Sequence, residues 1–229
     1  MHQRYLEVRR LGRVGYANAL RLQKQLETDV ITRREQDYLL LLEHPHTFTT
    51  GRRSKENGVL ATAENLKKLG IDVFESDRGG KVTYHGVGQI VGYPVISLSP
   101  DREDVHKYVR DLEEVLIRTM ADFDIEAFRI AGLTGVHTVE GKIAAIGVHI
   151  KRWVTTHGFA LNVNTDLNYY KWIIACEGEP VTSMERLLGR EAELVEIEDR
   201  IIENFCAVFD ETAMHEKPNE ILERTINAT

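Results

Sequence analysis

The chain has 229 residues, 42% of them hydrophobic, enough to bury one core, or one core with a small appendage. No stretch approaches the roughly 18 apolar residues that span a bilayer, and Met1 to Arg10 is charged where a signal peptide would be apolar, so a cytoplasmic protein with no membrane partner is expected. The formal charge of −7 gathers late in the chain: residues 191–229 hold eleven Asp and Glu against three Lys and Arg, leaving the first 190 at about +1, free to carry a local basic surface and with no balance that calls for nucleic acid.

In chain order, Leu20, Leu22, Leu26 and Val30 predict a helix over Asn18–Val30, and the apolar run Gln36–Glu43 predicts a buried strand. Thr62 and Gly70 bracket a short helix, followed by a strand at Ile71–Glu75. Gln89–Leu98 reads as a strand. Ser99 is then placed to cap a helix with Pro100 at its first position and Val105, Tyr108, Val109, Leu112, Leu116 and Met120 on one face. Ile143–Ile150 and Val154–Val163 predict consecutive strands joined near Lys151 and Arg152.

Thr182 and Glu185 make a capping box for a short helix ended by Gly189, and Ile197, Ile201, Phe205 and Phe209 mark a final amphipathic helix. Residues 1–211 are therefore expected to form one domain, and 212–229, acidic and without periodicity, a loosely ordered tail. Strands interleaved with helices, several joined by hairpin-length connections, give an α/β (α+β) fold: a mixed, largely antiparallel sheet flanked by helices.

Three glycine-bearing segments stand out. Asp77-Arg78-Gly79-Gly80-Lys81-Val82-Thr83-Tyr84-His85-Gly86-Val87-Gly88-Gln89 combines exposed backbone donors with charge, which reads either as a loop built around a ligand or as a hairpin whose turn needs glycine. It lacks the Gly-Lys-Ser/Thr ending of a phosphate loop. Gly141-Lys142-Ile143-Ala144-Ala145-Ile146-Gly147 and Thr155-Thr156-His157-Gly158-Phe159-Ala160-Leu161-Asn162 are strands of small residues, suited either to tight core packing or to a slot for an alkyl chain.

The chain has two cysteines. Cys206 falls inside the last helix, beside its apolar face, and reads as structural. Cys176 ends an apolar run just before Gly178 and Pro180, where a rigid element can hold a thiol and leave it reachable, so it is the candidate nucleophile. No disulfide is expected between them. His44 and His46, with His137, His149 or His157, match no zinc spacing, and no metal or other cofactor is expected.

The segments Arg78-Gly79-Gly80, Tyr84-His85-Gly86, Gly88-Gln89, Gly132-Leu133-Thr134-Gly135-Val136, Lys142 to Gly147 and His157 to Leu167, ordered ahead of Cys176, resemble the lipoyl(octanoyl) transferase family of the biotin and lipoate ligase superfamily. The resemblance runs from about Leu40 to Leu188. It implies a biotin/lipoate protein ligase-like fold and an acyltransferase that moves octanoyl from octanoyl-acyl carrier protein to a specific lysine of a lipoyl domain. The acceptors implied are the lipoyl domains of 2-oxoacid dehydrogenases and the glycine cleavage H protein.

It further implies that Cys176 carries the acyl group as a thioester and that Lys142 lowers the pKa of that thiol. Arg78, Gly79, Gly80, Lys81, Val82, Thr83, Tyr84 and His85, with Ala145, Ile146, Gly147, Gly158, Phe159 and Ala160, are implied to line the acyl site. One position departs from the pattern: the glycine usual after the cysteine is Glu177 here, and a carboxylate so near opposes the thiolate.

On chemical grounds a cysteine and a lysine account for the protonation steps, so His85 and His157 are expected to fix loops by hydrogen bonds. Three other readings compete: an ATP-dependent lipoate-protein ligase, an amidotransferase moving octanoyl between lipoyl-domain proteins, and a non-catalytic binding module in which Cys176 is dispensable.

Overall fold

A seven-stranded sheet runs through the molecule in the order β10-β1-β2-β6-β9-β8-β7, with a three-stranded sheet, β4-β3-β5, beside it. The strands are β1 (Arg4–Arg13), β2 (Asp37–Glu43), β3 (Thr47–Thr50), β4 (Asp72–Glu75), β5 (Val82–His85), β6 (Gln89–Val95), β7 (Val136–Thr138), β8 (Gly141–Lys151), β9 (Val154–Asn162) and β10 (Glu211–His215). The helices are α1 (Tyr16–Arg33), α2 (Ala63–Leu69), α3 (Val105–Ala121), α4 (Met184–Leu188) and α5 (Leu194–Phe209), with a 3₁₀ helix at Leu167–Trp172. The computed structural model describes residues 4–33, 36–54, 58–174 and 179–215.

The large sheet is mixed: β1 pairs parallel with β10 and β2, while β2, β6, β9, β8 and β7 follow in antiparallel succession. Helices cover both faces. On one, Tyr108, Leu112, Val115, Leu116 and Met120 of α3 and Ile197, Ile201, Phe205 and Phe209 of α5 join Leu39, Leu41, Ile143, Phe159 and Leu161 in the largest apolar cluster. On the other, Ala19, Leu26 and Val30 of α1 pack on Leu40, Leu42, Val91, Val95 and Ala160. Burying one such side chain contributes roughly 1.5–3 kcal/mol.

The expected mixed sheet flanked by helices is the fold observed. Several local expectations are corrected. Helix α3 starts at Val105, because Asp104 accepts the Lys107 N–H at 2.9 Å and so caps it in place of Ser99. For α4 the cap is Ser183, which accepts from Arg186 N, one residue later than the Thr182 box. The tail expected from residue 212 divides: Glu211–His215 are strand β10 against β1, and residues 216–229 lie outside the described residues.

Strands β1, β3 and β7 are additions to the expected elements. In β1 the charges Glu7, Arg9, Arg10 and Arg13 hide the pattern, although Leu6 and Val8 are buried, and Arg9 is satisfied by Glu7 at 2.6 Å. The hairpin reading of residues 77–89 fails, since β5 pairs with β3 and β6 pairs with β2 and β9, in separate sheets.

Candidate active site

Strands β8 and β9 run antiparallel in a register that sets Ala145 opposite Ala160, Ile146 opposite Phe159 and Gly147 opposite Gly158. The two small-residue segments are thus one patch of sheet. With Arg78, Thr83 and His85 from the glycine segment, and with Tyr16, Tyr93 and His157, they line one pocket of about 40 Å³, more than the roughly 10–15 Å³ that a single water needs. The walls from β8 and β9 are largely apolar apart from His157, and the other polar groups come from α1, β5, β6 and the glycine loop.

Gly147 is what lets the glycine loop sit here. A Cβ on it would stand 2.7 Å from the Gly79 carbonyl oxygen, and the Gly79 N–H donates to the Val148 carbonyl at 2.9 Å. The space beside Gly147 is therefore taken by the loop backbone, the tight-packing alternative at this position, although Gly147 still lines the pocket. Arg78 is buried and donates to the Thr49 carbonyl at 2.7 Å and to Thr49 Oγ1 at 2.8 Å, which locks the loop to β3.

Five expected acyl-site residues are not in the lining. Gly79 and Gly80 shape the loop, and Lys81 precedes the strand. Val82 and Tyr84 alternate with Thr83 and His85 along β5 and so face the other way, into a cluster with Phe48, Ile71 and Ile173. The Tyr84 ring stacks on Tyr169 at 5.0 Å, and its hydroxyl meets His46 Nδ1 at 2.9 Å.

The imidazoles in the pocket, His85 and His157, and His44 beside it are held neutral by burial. His85 is driven well below its ordinary pKa by burial, with the His44 ring as a smaller cause. Its Nδ1–H donates to Gln89 Oε1 at 2.9 Å, which leaves Nε2 as an acceptor. His44 is lowered to about 4, again by burial, between the Val14 carbonyl and the Tyr93 hydroxyl. His157 is lowered by burial, against the opposing effect of Asp77, whose Oδ1 takes its Nε2–H at 2.7 Å.

Asp77 is itself held low, first by that hydrogen bond and then by Lys24 at 3.1 Å. His157 occupies the left-handed backbone region (φ 57°), with its N–H donated to Gln23 Oε1 at 2.7 Å. Both His85 and His157 therefore sit in fixed hydrogen bonds, and the second ties the glycine loop to β9.

Lys142, at the start of β8, is buried, and its Nζ donates to the Thr134 carbonyl at 2.7 Å. Its main chain is pinned on both sides. Lys142 N donates to the Pro180 carbonyl at 2.8 Å, and Thr182 N donates to the Lys142 carbonyl at 3.0 Å. Asn162 Nδ2 donates to the Thr182 carbonyl at 3.0 Å, and Gln89 Nε2 to Asn162 Oδ1 at 2.9 Å, so hydrogen bonds run from His85 to the backbone of Lys142. Cys176 and Glu177 lie outside the described residues.

Sequence reasoning missed Tyr16 and Tyr93 as lining residues, and Gln89 and Asn162 as the link between the two ends of the site. Both links fall inside quoted motifs, which was the available signal. Tyr16 had none. Cys206 is half-buried on α5 with its thiol pushed up by burial, as expected of a structural cysteine. Among the described residues no group of three or more side chains is gathered as for a metal ion, and no helix is long and apolar enough to cross a membrane.

The lipoyl protein ligase A/B catalytic domain family matches residues 15–206. The chain belongs to this family. An octanoyltransferase of Solibacter usitatus is 50% identical over 204 residues, covering 89% of this chain and 92% of that protein. One of Koribacter versatilis is 46% identical over 230 residues, covering 95% and 90%. These relatives make the chain an acyltransferase of the octanoyltransferase type. Among solved structures, a bipartite lipoate protein ligase of Thermoplasma acidophilum, studied with its E2 lipoyl domain, has a TM-score of 0.73 at 18% identity, covering 98% of this chain and 90% of that one, a likeness of fold.

Proposed function

We propose that this octanoyltransferase takes its octanoyl group from octanoyl-acyl carrier protein, holds it as a thioester on Cys176, and passes it to a lysine of a lipoyl domain. The observation that carries the reading is the bonding of the Pro180 carbonyl, four residues after Cys176, to the backbone N–H of Lys142. Four residues span at most about 14 Å of extended chain, and that short connection supports pairing the thiol with the lysine.

An ammonium beside the thiol favours the thiolate, the form that attacks. The Cys176 thiolate adds to the thioester carbonyl of the donor, the carrier's thiolate leaves and takes a proton from the Lys142 ammonium, and one thioester replaces another at little cost, so no ATP is needed. The amine of the acceptor lysine then adds to the acyl carbon, expels the Cys176 thiolate and gives up a proton to the now neutral Lys142, which restores the starting pair. Along β8, Lys142 precedes Ala145 by about 10 Å at roughly 3.3 Å per residue. An acyl carbon held near Lys142 thus sends its chain toward the pocket that β8 and β9 help to line.

The ATP-dependent ligase reading shares this fold, and donors separate the two. Octanoyl-acyl carrier protein without nucleotide should label a lipoyl domain, and free octanoate with ATP should not. Labelling only by the second mixture would refute the transferase reading. Labelling from an octanoylated lipoyl-domain protein, with none from the carrier protein, would replace it by the amidotransferase.

A further inference from the structure

Glu113, on α3, has a side chain with no exposure to solvent, yet it is a carboxylate with donors on both oxygens. Its Oε2 accepts from Arg110 at 2.6 Å and from Arg129 at 3.2 Å. Its Oε1 turns inward and accepts the backbone N–H of Gly135 at 3.0 Å. Gly135 follows Thr134, whose carbonyl holds the Lys142 ammonium at 2.7 Å. At φ 121° Gly135 has a backbone that other residues rarely adopt, and a Cβ on it would lie 2.6 Å from Lys142 Cε. The carboxylate thus fixes the one peptide that carries the lysine's acceptor.

From this geometry we infer that Glu113 is a positioning residue of the acyl-transfer site, acting on Lys142 through the Thr134–Gly135 peptide. Two arginines anchor the carboxylate, the carboxylate anchors the peptide, and the peptide aims the ammonium. A buried carboxyl left without such partners is costly, and the two guanidiniums and the Gly135 N–H supply them here. The other titratable groups around the lysine are His137 on β7 and Glu179, which meet at 3.4 Å; His137 is lowered mainly by burial. The inference rests on the proposed role of Lys142.

Glu113→Gln tests it with no change of volume. With its carbonyl oxygen on the two guanidiniums, the amide presents N–H to the Gly135 N–H, and the loop loses its acceptor. The measurement is the rate of alkylation of Cys176 by iodoacetamide against pH, followed by mass at that residue, in the full-length wild type and in Glu113→Gln, Lys142→Ala, the double variant and Arg129→Ala. Lys142→Ala should raise the ionisation midpoint by roughly one unit or more, the low end for loss of an adjacent opposite charge.

Glu113→Gln should raise it part of the way, and the double variant should match Lys142→Ala. Arg129→Ala, which removes one of the two anchors and leaves Arg110 and the Gly135 contact in place, should move the midpoint in the same direction by less than Glu113→Gln does. A Glu113→Gln protein that melts earlier but keeps the wild-type midpoint overturns the inference, as does a double variant whose shifts add. If Lys142→Ala itself leaves the midpoint in place, the role of Lys142 in the proposed function fails first.

Discussion

Gly147 and Gly158 lie directly opposite each other between β8 and β9, and each yields the space of its missing side chain to a different backbone. Gly147 admits the Gly79 carbonyl of the glycine loop, and Gly158 admits the Gly92 carbonyl of β6. Gly147→Ala should therefore lift the loop without breaking the sheet. Overpacking of this kind costs about 1–3 kcal/mol. Thermal unfolding should shift down, and the rate of octanoyl transfer should fall more than the stability, because the loop carries Arg78. Unchanged transfer in Gly147→Ala would show that loop docking does not shape the site.

His44 links stability to pH. Its folded pKa of about 4 lies below the ordinary 6.5, so the unfolded chain binds the proton more readily than the folded one. The stability it contributes is present in full above pH 6.5 and is lost as pH falls toward 4. The difference amounts to on the order of 3 kcal/mol. Denaturant unfolding at pH 7 and at pH 4 should show the loss, and His44→Gln should flatten it. A wild-type stability that does not fall across that interval would contradict the buried, neutral assignment.

The two local orders of sequence were readable to different depths. Helices α3 and α5 show periodic apolar faces, and the central strands β2, β6, β8 and β9 are runs of apolar or small residues, so their existence follows from the order of the residues. Their caps do not: Asp104 outcompetes Ser99, and Ser183 outcompetes Thr182, through geometry a few ångströms across. Strand β10 has little apolar content and exists because it pairs with β1, a partner some 200 residues away in the chain. The same limit applies to the site. Ala145 to Gly147 and Gly158 to Ala160 were recognisable as segments, but their register is a property of the fold, and Tyr16 enters from α1.

The Asp77–His157 pair latches the glycine loop to β9, with Lys24 as a second partner for the carboxylate. The Asp77 carboxyl is held below its usual range, so its contribution is present above the ordinary carboxylate pKa near 4 and fades as pH falls below it. Because the group is partly exposed, Asp77→Asn should cost under about 1 kcal/mol at pH 7. The functional effect should be larger, as a raised KM for the acyl donor from a loosened loop. Equal KM values in the two proteins would assign the latch to stability alone.

Exposed Arg52 and Arg53 lie against the glycine loop, where their N–H groups donate to the Arg78 and Gly80 carbonyls, and Arg52 reaches His149 at 2.9 Å. Exposed Lys151 and Arg152 close the hairpin of the same two strands. An acidic carrier protein should be steered by this surface. Raising ionic strength from 50 to 300 mM, on the order of a halving of the screening length, should raise KM for the carrier. Arg52→Glu with Lys151→Glu should remove that dependence. A KM insensitive to salt in the wild type would count against docking here.

The central claim is the thioester on Cys176, and intact mass spectrometry after mixing the protein with octanoyl-acyl carrier protein tests it most directly. The account predicts one octanoyl adduct on the native protein, released by hydroxylamine and absent from Cys176→Ala. An adduct that persists in Cys176→Ala, or full transfer activity in that variant, would contradict it.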